Sequence, residues 1–154
     1  MNTRLLLISL CWFIAGVGSL YAGDNRTYQC VTSEDVYKAL KVVEPGDTIM
    51  LQGGKVYEID KSFMLEKHGL DGSRIAFTSN DSTGQGRYAV ISTVGQKKEE
   101  TLVALRLHGS FWSVSKLEIS GRKVPLDEGY WDTNGFLIGL YLHGAGAHDN
   151  VIED

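Results

Sequence analysis

Along residues 101–121, TLVALRLHGSFWSVSKLEISG, apolar and polar positions alternate, break, and alternate again in a different phase. Val103, Leu105 and Leu107 alternate with Ala104 and Arg106, the period of a strand with one buried face. His108-Gly109-Ser110 interrupts the run. Val114 follows, and Leu117 and Ile119 resume the alternation out of step with it. A one-residue slip inside a single strand would send its apolar set to the opposite face. The slip therefore predicts a corner between two short strands. Strand, corner, strand, corner, with a glycine at each exit, is one turn of a parallel β-solenoid.

The rest of the chain can be read as what precedes that turn and what stacks on it. Thr32 can cap a helix, and Asp35, three residues on, completes an approximate capping box with Asp in place of Glu or Gln. Val36, Ala39, Leu40 and Val43 share one helical face, and Pro45-Gly46 ends the helix. A repeat array exposes apolar core and unpaired edge at its ends, so this helix is expected to cap the first coil. After Pro45-Gly46-Asp47 come extended segments around Ile49 and Leu51, Val56–Ile59, Phe63 and Leu65, Ile75 and Phe77, and Tyr88–Ser92. Ile49, Ile75 and Leu105 are spaced as the first-strand cores of successive coils, within the range of repeat architectures. A polar, aperiodic stretch, RKVPLDEGYWDTNG over 122–135, reads as a long surface loop. Ile138, Leu140 and Leu142 resume the alternation, and Val151-Ile152 begins a further strand.

Composition agrees with many tight corners. Glycine contributes 18 of 154 residues and proline only 2, while 43% hydrophobic residues can build a core. The net charge of −4, with no basic stripe, argues against a nucleic-acid partner. Residues 1–22 read as a secretory signal: Arg4 precedes Leu5-Leu6-Leu7-Ile8 and an apolar run to Val17, and small residues end at Ala22. Leu20 departs from the small residue usual near the cleavage point. The other reading is an uncleaved anchor, but the run is short for a span and Gly16 and Gly18 interrupt it. The expectation is a secreted chain beginning at Gly23 with no stable membrane span. Cys11 leaves with the signal, so Cys30 has no internal partner, which points to a partner elsewhere or to a missing part. Asn25-Arg26-Thr27 and Asn80-Asp81-Ser82 are glycosylation sequons at Asn25 and Asn80.

PGDTIMLQGGKVY, LRLHGSFWSVSKLEISG and GLYLHGAGAHDNVIED together resemble the N-terminal part of right-handed parallel β-helix polysaccharide lyases. The groups in question are the pectate-lyase-like ones that include chondroitinase B, alginate lyases and a branch of pectate lyases. The likeness runs from Val31 to Asp154, and its motifs report coil geometry more than chemistry. It implies an all-β fold, a right-handed parallel β-helix with an N-terminal capping α-helix, with residues 23–154 its N-terminal portion. It also implies β-elimination on an acidic glycan. There a base, Lys or Arg, removes the proton α to a uronate carboxylate. A cation neutralises that carboxylate, usually calcium held by several Asp or Glu. The resemblance puts those groups on coils further along, so no catalytic residue and no cofactor is assigned in this chain, calcium belonging to a full-length relative.

Within the chain, the best candidate sugar-binding patch is Arg122, Lys123, Asp127, Tyr130 and Trp131, with Glu128 and Asp132 beside them. Aromatic faces stack on apolar sugar faces and arginine pairs with carboxylates; the competing reading is a solvated loop with Trp131 pinned to the solenoid. His143 and His148 flank a glycine-rich turn beside Asp149, but two further ligands of a closed metal site are missing, so no metal is expected. Asn150 is expected to bond backbone at a corner, Lys97–Glu100 to be solvated, and Trp112 to be a half-buried corner aromatic. Two functions follow: a secreted lyase-like protein for acidic polysaccharide without a complete catalytic site here, or a non-catalytic glycan-binding or surface β-helix protein. Self-association at an uncapped C-terminal edge is a further expectation.

Overall fold

The structure is a computed structural model that describes residues 25–81, 84–95, 103–120 and 138–153. It is mostly β with one helix: β1 (Thr27–Cys30), α1 (Ser33–Val42), β2 (Thr48–Gln52), β3 (Val56–Glu58), β4 (Phe63–Leu65), β5 (Ile75–Asn80), β6 (Ala89–Ser92), β7 (Val103–Leu107), β8 (Trp112–Ser115), β9 (Leu117–Ser120), β10 (Ile138–Leu142) and β11 (Val151–Glu153). The signal segment, residues 1–22, lies outside the described residues.

The strands form three sheets, β1-β2-β5-β8-β11, β3-β6-β9 and β10-β7-β4, here called the first, second and third. All the pairings between these strands are parallel. From β2 onward the chain enters the first, second and third sheets in turn and then repeats that order. A parallel pair needs a long connection between its strands, and here the other two sheets supply it. Like residues consequently stack in columns. Ile49 stands beside Phe77, Phe77 beside Val114, and Val114 beside Ile152; Tyr57, Ile91 and Ile119 form a second column, and Phe63, Leu105 and Leu140 a third. The inward members through β7 are buried. The expected grouping of Ile49, Ile75 and Leu105 as one column is incorrect. Ile75 lies beside Trp112 in the first sheet and Leu105 belongs to the third. Spacing along the chain cannot separate three sheets whose rounds differ in loop length.

The corner expected before Leu117 is present. Lys116 alone separates β8 from β9 and adopts a left-handed φ of 54°, which turns the chain from the first sheet to the second and resets the side-chain phase. Trp112 differs from expectation: it is fully buried, with its indole N–H donating to the Lys67 carbonyl at 2.7 Å. A buried indole must place its one donor, and the neighbouring loop supplies the acceptor.

α1 forms as its cap predicts. The Asp35 amide donates to Thr32 Oγ1 at 3.2 Å, and the Asp35 carboxylate accepts from the Thr32 amide at 2.9 Å, the reciprocal capping box. The Thr32 hydroxyl first, then the Val31 amide, hold the Asp35 carboxyl below its usual value. Val36, Ala39 and Leu40 are buried, and α1 packs on β1, β2 and β4. Tyr37 meets Phe63 edge-on at 4.9 Å, and its hydroxyl donates to the Lys61 carbonyl at 2.6 Å. At the turn that follows, Asp47 is buried, and its carboxylate accepts from the Arg26 amide at 2.9 Å, the Glu44 amide at 3.0 Å and the Tyr28 hydroxyl at 3.4 Å. Those donors replace water around a charge that burial would otherwise penalise. Gly46 has φ +91°, and a Cβ there would collide with Asn25 Oδ1.

The four residues of β1, TYQC, carry no strand signal of their own, because only Cys30 is buried and Tyr28 half-buried. It exists because β2 offers an edge. Cys30 is 2% exposed beneath α1, its thiol lies 3.6 Å from the Tyr28 carbonyl, and it is free. That burial makes the lone cysteine a core residue.

Two outcomes follow. Leu40→Asp should place a charge in the α1 contact and cost about 3 kcal/mol, read as a lowered melting temperature. Burial first, then Asp35, pushes the Cys30 thiol up to about 11 from 9.0. The folded state therefore holds this proton more tightly than the unfolded chain. The contribution is complete below pH 9.0 and is lost as pH rises through about 11. Thiol reagents at pH 8 should react with Cys30 only at the rate of unfolding.

Candidate functional site

The expected sugar-binding residues Arg122, Lys123, Asp127, Tyr130 and Trp131 lie outside the described residues, as do Lys97–Glu100. The described surface chemistry gathers instead along the outer face of the third sheet and the corner that leads from it into the first sheet.

Alternation in β7 sends Leu105 and Leu107 inward and Arg106 outward, half-buried. Register then puts Met64 of β4 on one side of Arg106 and Tyr141 of β10 on the other. The Arg106 guanidinium carbon is 5.8 Å from the Tyr141 ring centroid, and Nε donates to Ser62 Oγ at 3.2 Å. The Ser62 hydroxyl in turn donates to the Val103 carbonyl at 2.7 Å. His143, two residues beyond Tyr141, stacks on it with centroids 5.5 Å apart and 22° between planes. His143 also lies 5.5 Å from His108, whose buried Nε2 has no hydrogen-bond partner among the described residues.

At the corner, the loops after β4, β7 and β10 stack. Asn150 Oδ1 accepts from the Trp112 amide at 2.8 Å, and Asn150 Nδ2 donates to the Gly109 carbonyl at 3.0 Å. This is the backbone-bonding role expected of Asn150. Gly109 is needed because a Cβ would overlap the Lys67 carbonyl oxygen. Phe111 and Asp149 adopt left-handed φ values of 56° and 53°. Arg74 donates to the Asp149 carbonyl and lies 5.7 Å from the Phe111 ring, which meets His148 edge-on at 5.7 Å. His148 Nδ1 is 2.7 Å from the Asp149 carboxylate, and both side chains are exposed.

His68 Nδ1 lies 3.0 Å from Ser110 Oγ and also accepts from the Ser110 amide at 3.3 Å. Ser110 is buried, and the pair fastens the loop after β4 to the loop after β7. Among the described residues no group of three His, Cys, Asp or Glu side chains is arranged to hold a metal ion. The third-sheet face differs in carrying an oriented guanidinium beside exposed aromatic surface, an arrangement suited to a carboxylated sugar. The visible signal for it was the lone charge in VALRL; its aromatic partners come from 35 or so residues away, set by register. Of the sequon residues, Asn25 and Asn80 are both exposed. Asn80 Oδ1 accepts from the Gly53 amide at 3.0 Å.

No family model matches the chain, and no curated protein matches it. Among solved structures it is similar to a crystal structure of an alginate lyase from Paenibacillus sp. str. FPU-7, with 29% identity and a TM-score of 0.50. The match covers 60% of this chain and 28% of that one. The fold is thus like that of a polysaccharide lyase, and the chain spans little more than a quarter of that lyase's length.

Asn150→Ala would leave the Trp112 amide and the Gly109 carbonyl without their partner. The expected cost is about 1–3 kcal/mol, read from the urea midpoint. Asn150→Asp should also destabilise, because it keeps an acceptor for Trp112 but sets an oxygen against the Gly109 carbonyl.

Proposed function

We propose that this chain is a portion of a secreted, right-handed parallel β-helix protein of the polysaccharide-lyase type whose partner is an acidic glycan. The observation that carries the reading is the likeness to the alginate lyase over 60% of the chain at 29% identity. The repeated passage through three parallel sheets, the capped helix over the first round and the signal-like residues 1–22 support it. So does the Arg106–Tyr141 face, which offers a charge for a carboxylate and a ring for a sugar. The sequons at Asn25 and Asn80 fit a chain that passes through a glycosylating secretory route.

Elimination requires a base at the proton α to the uronate carboxylate and a cation that neutralises that carboxylate. The chain covers 28% of the lyase it is similar to, and no metal-holding carboxylate group occurs among the described residues. The chain is accordingly assigned recognition of the acidic polysaccharide, with elimination carried out by groups outside its described residues.

The test is incubation of the purified chain with alginate, pectate and chondroitin, with and without calcium. The ultraviolet absorbance of the unsaturated product and retention on the immobilised polymers are both followed. Retention on at least one acidic polymer over a neutral glucan, with no unsaturated product, is the expected result. Equal retention on neutral and acidic polymers would overturn the reading. A calcium-dependent absorbance rise abolished by Lys123→Ala or Asp127→Ala would place the active centre in the 122–135 loop instead.

A further inference from the structure

We infer that the Met64–Arg106–Tyr141 row on the outer face of the third sheet, with His143 stacked on Tyr141, is a receptor for a single uronate residue of the polysaccharide. The inference rests on the acidic-glycan reading and locates it on particular side chains.

The first ground is that Arg106 is oriented and has no carboxylate partner among the described residues. Nε is tied to Ser62 Oγ at 3.2 Å, and Ser62 is tied to the Val103 carbonyl at 2.7 Å. The side chain has therefore already lost much of the freedom that binding would remove. Its terminal Nη groups have no carboxylate partner among the described residues, although Asp and Glu number 19 against 15 Lys and Arg in the sequence. Arg26, by contrast, is paired with Glu44 at 2.7 Å and lies 3.9 Å from Asp47. A guanidinium presenting its Nη pair matches the planar geometry of a carboxylate and holds it by two parallel charge-assisted hydrogen bonds.

The second ground is the surface beside it. The Tyr141 and His143 rings are stacked, with 22° between their planes and centroids at 5.5 Å, and the Tyr141 ring is 5.8 Å from the guanidinium carbon. The C–H face of a pyranose packs on such a ring while its exocyclic carboxylate reaches the arginine. Met64 supplies apolar contact on the other flank. The third ground is electrostatic. At a net charge of −4 the chain as a whole repels a polyanion, so recognition has to come from a local cation of this kind.

The test is calorimetric titration of the chain with oligomers of mannuronate, guluronate and galacturonate. EDTA in the buffer removes calcium bridges between the acidic chain and the polyanion. Each oligomer is compared with the same oligomer after reduction of its carboxylates to alcohols. At least one uronate oligomer should bind, and its reduced form should not. Arg106→Ala should weaken binding about tenfold or more, the loss of a charge-assisted pair. Tyr141→Ala should weaken it by several fold, and Lys38→Ala, on α1, should leave it unchanged. If Arg106→Ala melts early, Arg106→Lys decides: it keeps the charge and stem and loses the fork, and wild-type affinity in that variant overturns the inference. Wild-type affinity in a folded Arg106→Ala does the same while leaving the acidic-glycan reading intact. Absence of binding to all three oligomers overturns both.

Discussion

Everything in this chain depends on one constraint: each strand must pair, in parallel and in register, with the strand a full round earlier. The columns Ile49–Phe77–Val114–Ile152 and Phe63–Leu105–Leu140 are its consequence. In-register stacking sets one inward-facing apolar side chain above another, so these inward columns are apolar from round to round. The first strand of such an array has no earlier strand to cover it. Here β1 and α1 supply that cover, with Val36, Ala39 and Leu40 meeting the core that β2 and β4 would otherwise expose.

Register also decides what the loops must do. When strands are held about 4.8 Å apart, the corners between them are pressed equally close. Gly109 has no room for a Cβ, the Trp112 indole finds its acceptor on the loop below, and Asn150 bridges amide and carbonyl of the loop before it. These contacts satisfy backbone groups that lose their water at a crowded corner. The histidines there sit beside Ser110 and Asp149, and the His68–Ser110 pair ties one loop to the next.

The outer face of the third sheet is the opposite case. The same register that buries Leu105 and Leu107 holds Arg106 outward between Met64 and Tyr141. Among the described residues no carboxylate pairs with Arg106, and Ser62 orients it without neutralising it. The proposed uronate receptor rests on that oriented cation and the aromatic surface beside it.

Local information was sufficient for the helix, whose cap, apolar face and Pro45-Gly46 stop all lie within fifteen or so residues. It was sufficient for most strands, because period-two alternation is a property of consecutive residues, and for the corner at Lys116, because a left-handed residue between strands shows up as a phase slip. Three features were decided only by tertiary structure. β1 has too few buried positions to announce itself and forms because β2 presents an edge. The assignment of Ile75 and Leu105 to different sheets depends on how much chain each loop consumes, which spacing alone does not reveal. The depth of Trp112 and the meeting of Arg106 with Tyr141 depend on which residues stack across rounds. The sequence determines which residues can face inward along each strand; the stacking of one round on the next decides which of them meet.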